Sequence, residues 1–254
     1  MKSTKYNLKF KVLSVKENTD SIYQFLVNDD IDNWFTNTIF EEFNINKSDF
    51  LVLNDEQRYN YIYKIVDNVY IENDAKINEI AHSFQKKWNE KSDEISSIFA
   101  KIFGTTFDSE KICVVNVGLN PICPRYLNSK SFDINYKLNN FLTICIHELL
   151  HFYWFDYWDK NIGKLKAEEK ETPSIIWQFS EIAIDQLVNC TELKKFYNEA
   201  NVAYDYFYDI KHNGKYLIDV LREMYNKLNL KDFMLQGLQL LKSDEIKSQL
   251  WFCN

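Results

Sequence analysis

Hydrophobic positions change their period several times along this chain, and each change marks an expected element. Near the start, Tyr6-Asn7-Leu8-Lys9-Phe10-Lys11-Val12 alternates apolar and polar residues, which predicts a strand over 6–14 with one solvated face. Up to about residue 70 the chain then offers only short aromatic-rich pieces, Asp32-Asn33-Trp34-Phe35 and Tyr59-Asn60-Tyr61-Ile62-Tyr63, with no sustained period. From 74 to 103 the period sharpens. Ile77, Ile80, Ala81, Phe84, Trp88, Ile95, Ile98, Phe99 and Ile102 recur at three- and four-residue spacings, and Gly104 is a natural stop, so a long helix with one buried face is expected. His82 falls beside that stripe and reads as a surface histidine.

The pattern shortens at Ile112-Cys113-Val114-Val115-Asn116-Val117, a buried strand ended by Gly118 and Pro121. Residues 125–136 alternate loosely and fit an edge strand. Residues 138–157 are apolar on nearly every face and predict a buried helix. A charged loop from Asp159 to Glu171 follows. Thr172 as N-cap and Pro173 in the first turn then launch a helix from Ser174 to about Val188. The remainder, 191–252, reads as helices broken by Asn213-Gly214. The fold class expected is α+β, mostly helical.

Composition agrees with this. Only 5 Gly and 3 Pro occur in 254 residues, so few sharp turns are encoded. The formal charge of −7 argues against a nucleic-acid partner, and the basic run Lys2 to Lys16 is better used as the solvated face of the first strand. No continuous apolar leader follows Met1, and the most apolar window contains histidines and a glutamate, which excludes it as a membrane span. The five cysteines, Cys113, Cys123, Cys145, Cys190 and Cys253, are odd in number and lack Cys-x-x-Cys spacing. Reduced thiols and a cytoplasmic location are expected.

That apolar window, Thr143-Ile144-Cys145-Ile146-His147-Glu148-Leu149-Leu150-His151-Phe152-Tyr153-Trp154-Phe155, carries the chemistry. Positions four apart on a helix share a face one turn apart, so His147 and His151 can reach one metal ion. Glu148 is offset by about 100° around the helix and is placed to take a proton from a metal-associated water. Two imidazoles and a carboxylate on a buried helix must each be satisfied, and zinc satisfies both imidazoles at once. A third protein ligand is needed. The sequence after His151 excludes the long metzincin pattern. The strongest candidate is Glu181, with Asp185 one turn later, on the otherwise apolar Trp177-Gln178-Phe179-Ser180-Glu181-Ile182-Ala183-Ile184-Asp185. An Asp there can accept the free ring N–H of a ligand histidine and fix its orientation.

His147-Glu148-Leu149-Leu150-His151 followed by Glu181-Ile182-Ala183-Ile184-Asp185 on the next helix resembles the gluzincin metallopeptidases, the group of thermolysin and the zinc aminopeptidases. The resemblance covers about 75–254. It implies a thermolysin-like zincin fold: a small sheet whose edge strand lines the cleft, a backing helix, an active-site helix and a helical C-terminal part. Residues 71–254 would form the catalytic domain, divided into 71–158 and 159–254, behind an N-terminal extension over 1–70. It further implies one Zn2+ per chain held by His147, His151 and Glu181, with Glu148 as general base and later proton donor to the leaving amine. Asp185 would support His147, and the substrate would be a peptide or protein. An oxyanion stabiliser is expected from the C-terminal part, with Tyr204, Tyr206, Tyr208 and His212 as candidates, Tyr208 and His212 foremost.

Two features depart from the family pattern. The 29 residues between His151 and Glu181 exceed its usual interval, which the charged loop accounts for. The aminopeptidase Gly-x-Met-Glu-Asn segment is also missing; Gly118-Leu119-Asn120-Pro121 lies at a similar distance upstream without an acidic residue. Two other readings stand beside the peptidase. One is a zinc-binding protein of this fold with a binding or regulatory role. The other is a metal-free interaction module built on Trp154, Trp158 and the tyrosine cluster.

Overall fold

The structure, a computed structural model, describes residues 2–27 and 34–250. Asp32 and Asn33 of the first aromatic piece, and Cys253, lie outside the described residues. The elements in chain order are β1 (Lys2–Val12), α1 (Val15–Tyr23), α2 (Trp34–Glu42), α3 (Lys47–Leu51), α4 (Asp55–Ile102), β2 (Thr106–Gly118), β3 (Arg125–Tyr126), β4 (Ser131–Asn135) and α5 (Phe141–Asn161). They continue with α6 (Ile175–Asn189), β5 (Lys211–His212), β6 (Lys215–Tyr216), α7 (Leu217–Lys227), α8 (Leu230–Leu241) and α9 (Asp244–Lys247). The fold is α+β and mostly helical, with a small mixed sheet. Among the described residues, no helix is long and apolar enough to cross a membrane.

The chain divides into two compact units, one drawn from Tyr6–Ser92 and Glu110–Ile144, the other from Met1–Lys5, Asp93–Ser109 and Cys145–Asn254. These cuts fall elsewhere than the expected boundary near residue 70, where α4 is continuous.

In the first unit the strands run in the order β1-β2-β4-β3. β2 and β4 pair in parallel, Val114 opposite Ser131 and Gly118 opposite Asn135. The stretch expected as one edge strand, 125–136, is instead two. β3 pairs antiparallel with the start of β4 at Arg125–Phe132 and Tyr126–Ser131, so β4 is interior there and every one of its residues is buried. The long helix also differs from expectation, beginning at Asp55 rather than 74. Asn54 and Gln57 exchange side chain-to-backbone hydrogen bonds of 3.0 Å, a capping box that starts the helix. Ile62, Val66 and Tyr70 then continue the buried stripe of Ile77, Ala81, Phe84 and Trp88 backwards at helical spacing. His82 is exposed, as expected.

Gly118 is needed because α1 packs onto its Cα. A Cβ there would stand 2.3 Å from the Asn18 Oδ1, an atom that accepts the Leu119 N–H at 2.7 Å. Asp133 sits at the centre of β4, only 2% exposed. Its carboxylate accepts from Ser21 Oγ (2.5 Å), Asn116 Nδ2 (2.9 Å) and Tyr126 OH (3.2 Å). Burial outweighs these bonds and holds its pKa above the ordinary 3.8. The folded state therefore binds the Asp133 proton more tightly than the unfolded chain does. The stability this contributes is fully present below the unfolded value and is lost as pH rises through the folded one. In thermal melts from below pH 3.8 to neutrality, the stability of wild type relative to Asp133→Asn should fall with rising pH and then level off. A flat difference would contradict the burial argument.

In the second unit, Trp154, Phe179 and Phe233 from α5, α6 and α8 meet with ring centroids 5.3–6.3 Å apart. Gly237 on α8 leaves room for the Phe179 ring, since a Cβ would lie 2.3 Å from it. Trp154 and Trp158 are core residues, 1% and 3% exposed, and offer no surface for an interaction module. Asn213-Gly214 does not break a helix. Both residues have positive φ, 49° and 77°, and form the two-residue turn of the β5–β6 hairpin.

Candidate metal centre

The helix that carries the motif, α5, is buried because its apolar residues cover nearly the whole circumference. Cys145, Ile146, Leu149, Leu150, Phe152, Tyr153, Trp154, Phe155 and Trp158 are all buried. Rigid packing on all sides fixes the two histidines on the remaining strip. The next helix, α6, starts one residue later than expected. Ser174 rather than Thr172 is the N-cap, its Oγ accepting from the Ile176 N–H at 3.2 Å, and Pro173 precedes the cap instead of filling the first turn. Near the end of α5, Asp159 accepts from Leu165 N (3.0 Å) and Lys170 Nζ (2.5 Å), which ties down the charged loop between the two helices.

This places His147, His151 and Glu181 together. His147 Nε2 and His151 Nε2 are 3.0 Å apart, and the Glu181 Oε2 is 3.3 Å from the first and 3.2 Å from the second. Ligands about 2.0–2.1 Å from a zinc ion at tetrahedral angles stand about 3.3–3.4 Å apart. The triangle of donor atoms is therefore close to one face of a zinc tetrahedron, and the donor set of two imidazoles and a carboxylate is chemically right for that ion. The side chains of His151 and Glu181 are 0% and 4% exposed, whereas that of His147 is 23% exposed. A fourth ligand or a substrate would thus approach from the His147 side.

Glu148 follows His147 on α5 and is buried at 8% exposure. A tyrosine without any sequence signal, Tyr197, feels its charge. It directly follows the 3-10 turn Glu192–Phe196 and is itself buried. Burial pushes its phenol pKa up, and the charges of Cys145, Glu148 and Glu199 add to the shift.

Asp185 is not where the resemblance put it. Among the described residues its carboxylate is shared by Arg222 through two bonds, Nε to Oδ1 at 2.7 Å and Nη2 to Oδ2 at 2.8 Å, and by Tyr208 OH and Asn189 Nδ2, each 2.7 Å from Oδ2. Gln186 Nε2 donates to Oδ1 at 3.3 Å. Instead of orienting His147, the group one turn below Glu181 receives a guanidinium from α7. The same bonds engage Tyr208, whose oxygen donates to Asp185 and accepts from the Val202 and Ala203 N–H groups at 2.9 and 3.2 Å. Burial, reinforced by the Asp185 bond, pushes its pKa up to about 12, so it remains a donor.

His212 belongs to the β5–β6 hairpin, where Nδ1 meets Glu245 Oε2 at 2.7 Å and Nε2 meets Asn213 Nδ2 at 3.0 Å. Tyr204 is exposed and stacks on Tyr206, their centroids 6.3 Å apart. Three of the expected residues, His147, His151 and Glu181, therefore converge into a group that could hold a metal ion, while Asp185, Tyr208 and His212 are engaged in other bonds.

Family models, curated proteins and solved structures were each compared with the chain, and none matches it.

Proposed function

We propose that this protein is a zinc-dependent metallopeptidase of gluzincin type, with a thermolysin-like arrangement of its sheet and helices and a peptide or protein as substrate. The observation that carries the reading is the convergence of His147 Nε2, His151 Nε2 and Glu181 Oε2 at 3.0–3.3 Å, two of them from His-Glu-x-x-His and the third from the next helix. Zinc held there would supply Lewis acidity and acidify a water molecule. The chain's own residues do the rest. His151 and Glu181, buried, fix one side of the site, and His147 leaves the other side open. Glu148, one position along α5, takes the proton of the attacking water and returns it to the departing amine. The four cysteines among the described residues, Cys113, Cys123, Cys145 and Cys190, are in no disulfide there, which suits a reducing, cytoplasmic setting.

One observation favours a second reading, a zinc-binding protein whose cleft recognises a ligand without turning it over. The residues expected to stabilise an oxyanion, Tyr208 and His212, have their polar atoms committed to Asp185 and Glu245.

Metal analysis and a peptide library separate these readings. Purified protein should carry about one zinc per chain. Chelation should lower its thermal midpoint, because a ligand present at about 100 times its dissociation constant stabilises by about 2.7 kcal/mol. His151→Ala should contain no zinc and melt identically with and without chelator. Zinc-loaded protein should cleave members of the library. Bound zinc with no cleavage would leave the second reading, and a chain that takes up no zinc would sink both.

A further inference from the structure

The segment between the Glu192–Phe196 turn and β5 has little regular structure, yet it is tied down at successive backbone groups by side chains. Lys194 Nζ donates to the Glu199 carbonyl at 2.5 Å, and Asn189 Nδ2, at the end of α6, donates to the Ala200 carbonyl at 3.0 Å. The Val202 and Ala203 N–H groups both donate to Tyr208 OH. Two of these ties lead back to one atom: Asn189 Nδ2 and Tyr208 OH each reach Asp185 Oδ2 at 2.7 Å. Arg222 holds the same carboxylate in a bidentate grip. Asp185 lies one turn beyond Glu181 on α6, so whatever it anchors is registered to the metal ligand. The segment it anchors begins at Tyr197, which is buried.

We infer that Tyr208 is a positioning residue: through Asp185 it latches residues 197–204 to the helix that carries Glu181, and that segment forms a wall of the substrate cleft. This rests on the peptidase reading for its effect on catalysis, but the latch itself is a property of the hydrogen bonds. It assigns Tyr208 a role distinct from oxyanion stabilisation. The wall sets how a peptide sits, while Glu148 and the three ligands set the chemistry.

Tyr208→Phe removes one oxygen and keeps the ring, so it isolates the latch. In hydrogen exchange, the Val202 and Ala203 amides should lose their acceptor and exchange about 10-fold faster or more, the equivalent of about one hydrogen bond. Zinc content should stay at the wild-type value. For a cleaved library peptide, KM should rise about 10-fold with kcat changed little, since the oxygen that joins the Val202 and Ala203 amides to Asp185 is lost. Asn189→Ala, which unties Ala200 by another route, should raise KM in the same direction.

Unchanged exchange at Val202 and Ala203 would overturn the latch, as would loss of zinc. A fall of about 10²- to 10³-fold in kcat would overturn it in favour of an oxyanion role for Tyr208. Faster exchange with KM unmoved would remove the segment from the cleft wall. If the zinc-loaded wild type cleaves no peptide, the peptidase reading fails by itself, and the exchange measurement still decides the latch.

Discussion

Glu148→Gln should bind zinc as wild type does and hydrolyse peptides about 10²- to 10⁴-fold more slowly. The amide is nearly the same shape as the carboxylate, so the packing of α5 around His147 and His151 is preserved. What it loses is the capacity to accept a proton. The corresponding barrier increase is about 3–5 kcal/mol, because each tenfold in rate costs about 1.4 kcal/mol. The loss should fall on kcat and kcat/KM together, because a base that acts only in the transition state contributes nothing to ground-state binding. Comparing single-turnover hydrolysis with zinc stoichiometry on the same preparation checks both halves. Hydrolysis at the wild-type rate would exclude Glu148 as the base.

The parts of this site that can be read in the sequence are those fixed by a helix's own geometry. His147 and His151 are four apart on a helix whose apolar surroundings leave them one strip, and Glu181 is a carboxylate in a segment otherwise built for the core. Both observations concern a single element, and a period of 3.6 is enough to place the groups. Asp185 exposes the limit of that reasoning. Its spacing from Glu181 correctly puts it on the same face, but which group meets it depends on where α7 arrives. Arg222 gives no local sign of that meeting in Leu221-Arg222-Glu223.

The same distinction separates the fold elements. The helix beginning at Asp55 was obscured because Tyr59, Tyr61 and Tyr63 sit at strand-like spacing on partly or largely exposed positions, while its buried residues Ile62, Val66 and Tyr70 follow helical spacing. A local signal did exist in the Asn54-x-x-Gln57 capping box. Asn213-Gly214 was similarly legible as a hairpin turn, but the strands on either side are only two residues long, too short for alternation to register. β3 and β4 are distinguishable only through their partners, because parallel pairing with β2 is a non-local fact.

The ion pair that displaced the expected histidine support yields the largest effect on stability. Arg222→Met should destabilise the protein by about 3–5 kcal/mol, the usual cost of leaving a buried charge without its partner. In a chain of this size that lowers the thermal midpoint by roughly 10 °C or more. The side chain of Asp185 is 0% exposed, and without the guanidinium it keeps only the neutral donors of Tyr208, Asn189 and Gln186. Asp185→Leu should cost less, because it strands an Arg222 that is 34% exposed and can turn its charge to water. The double variant Asp185→Leu/Arg222→Met should recover part of the Arg222→Met loss, since no uncompensated charge then remains in the core. Calorimetric melts of all four proteins close that double-mutant cycle, and additive losses would mean that the two residues act separately. The cycle also tests how firmly the metal helix depends on α7: with the pair intact, the carboxylate one turn beyond Glu181 is clamped from outside α6, so breaking it should loosen Glu181 and weaken zinc binding even though neither residue is a ligand.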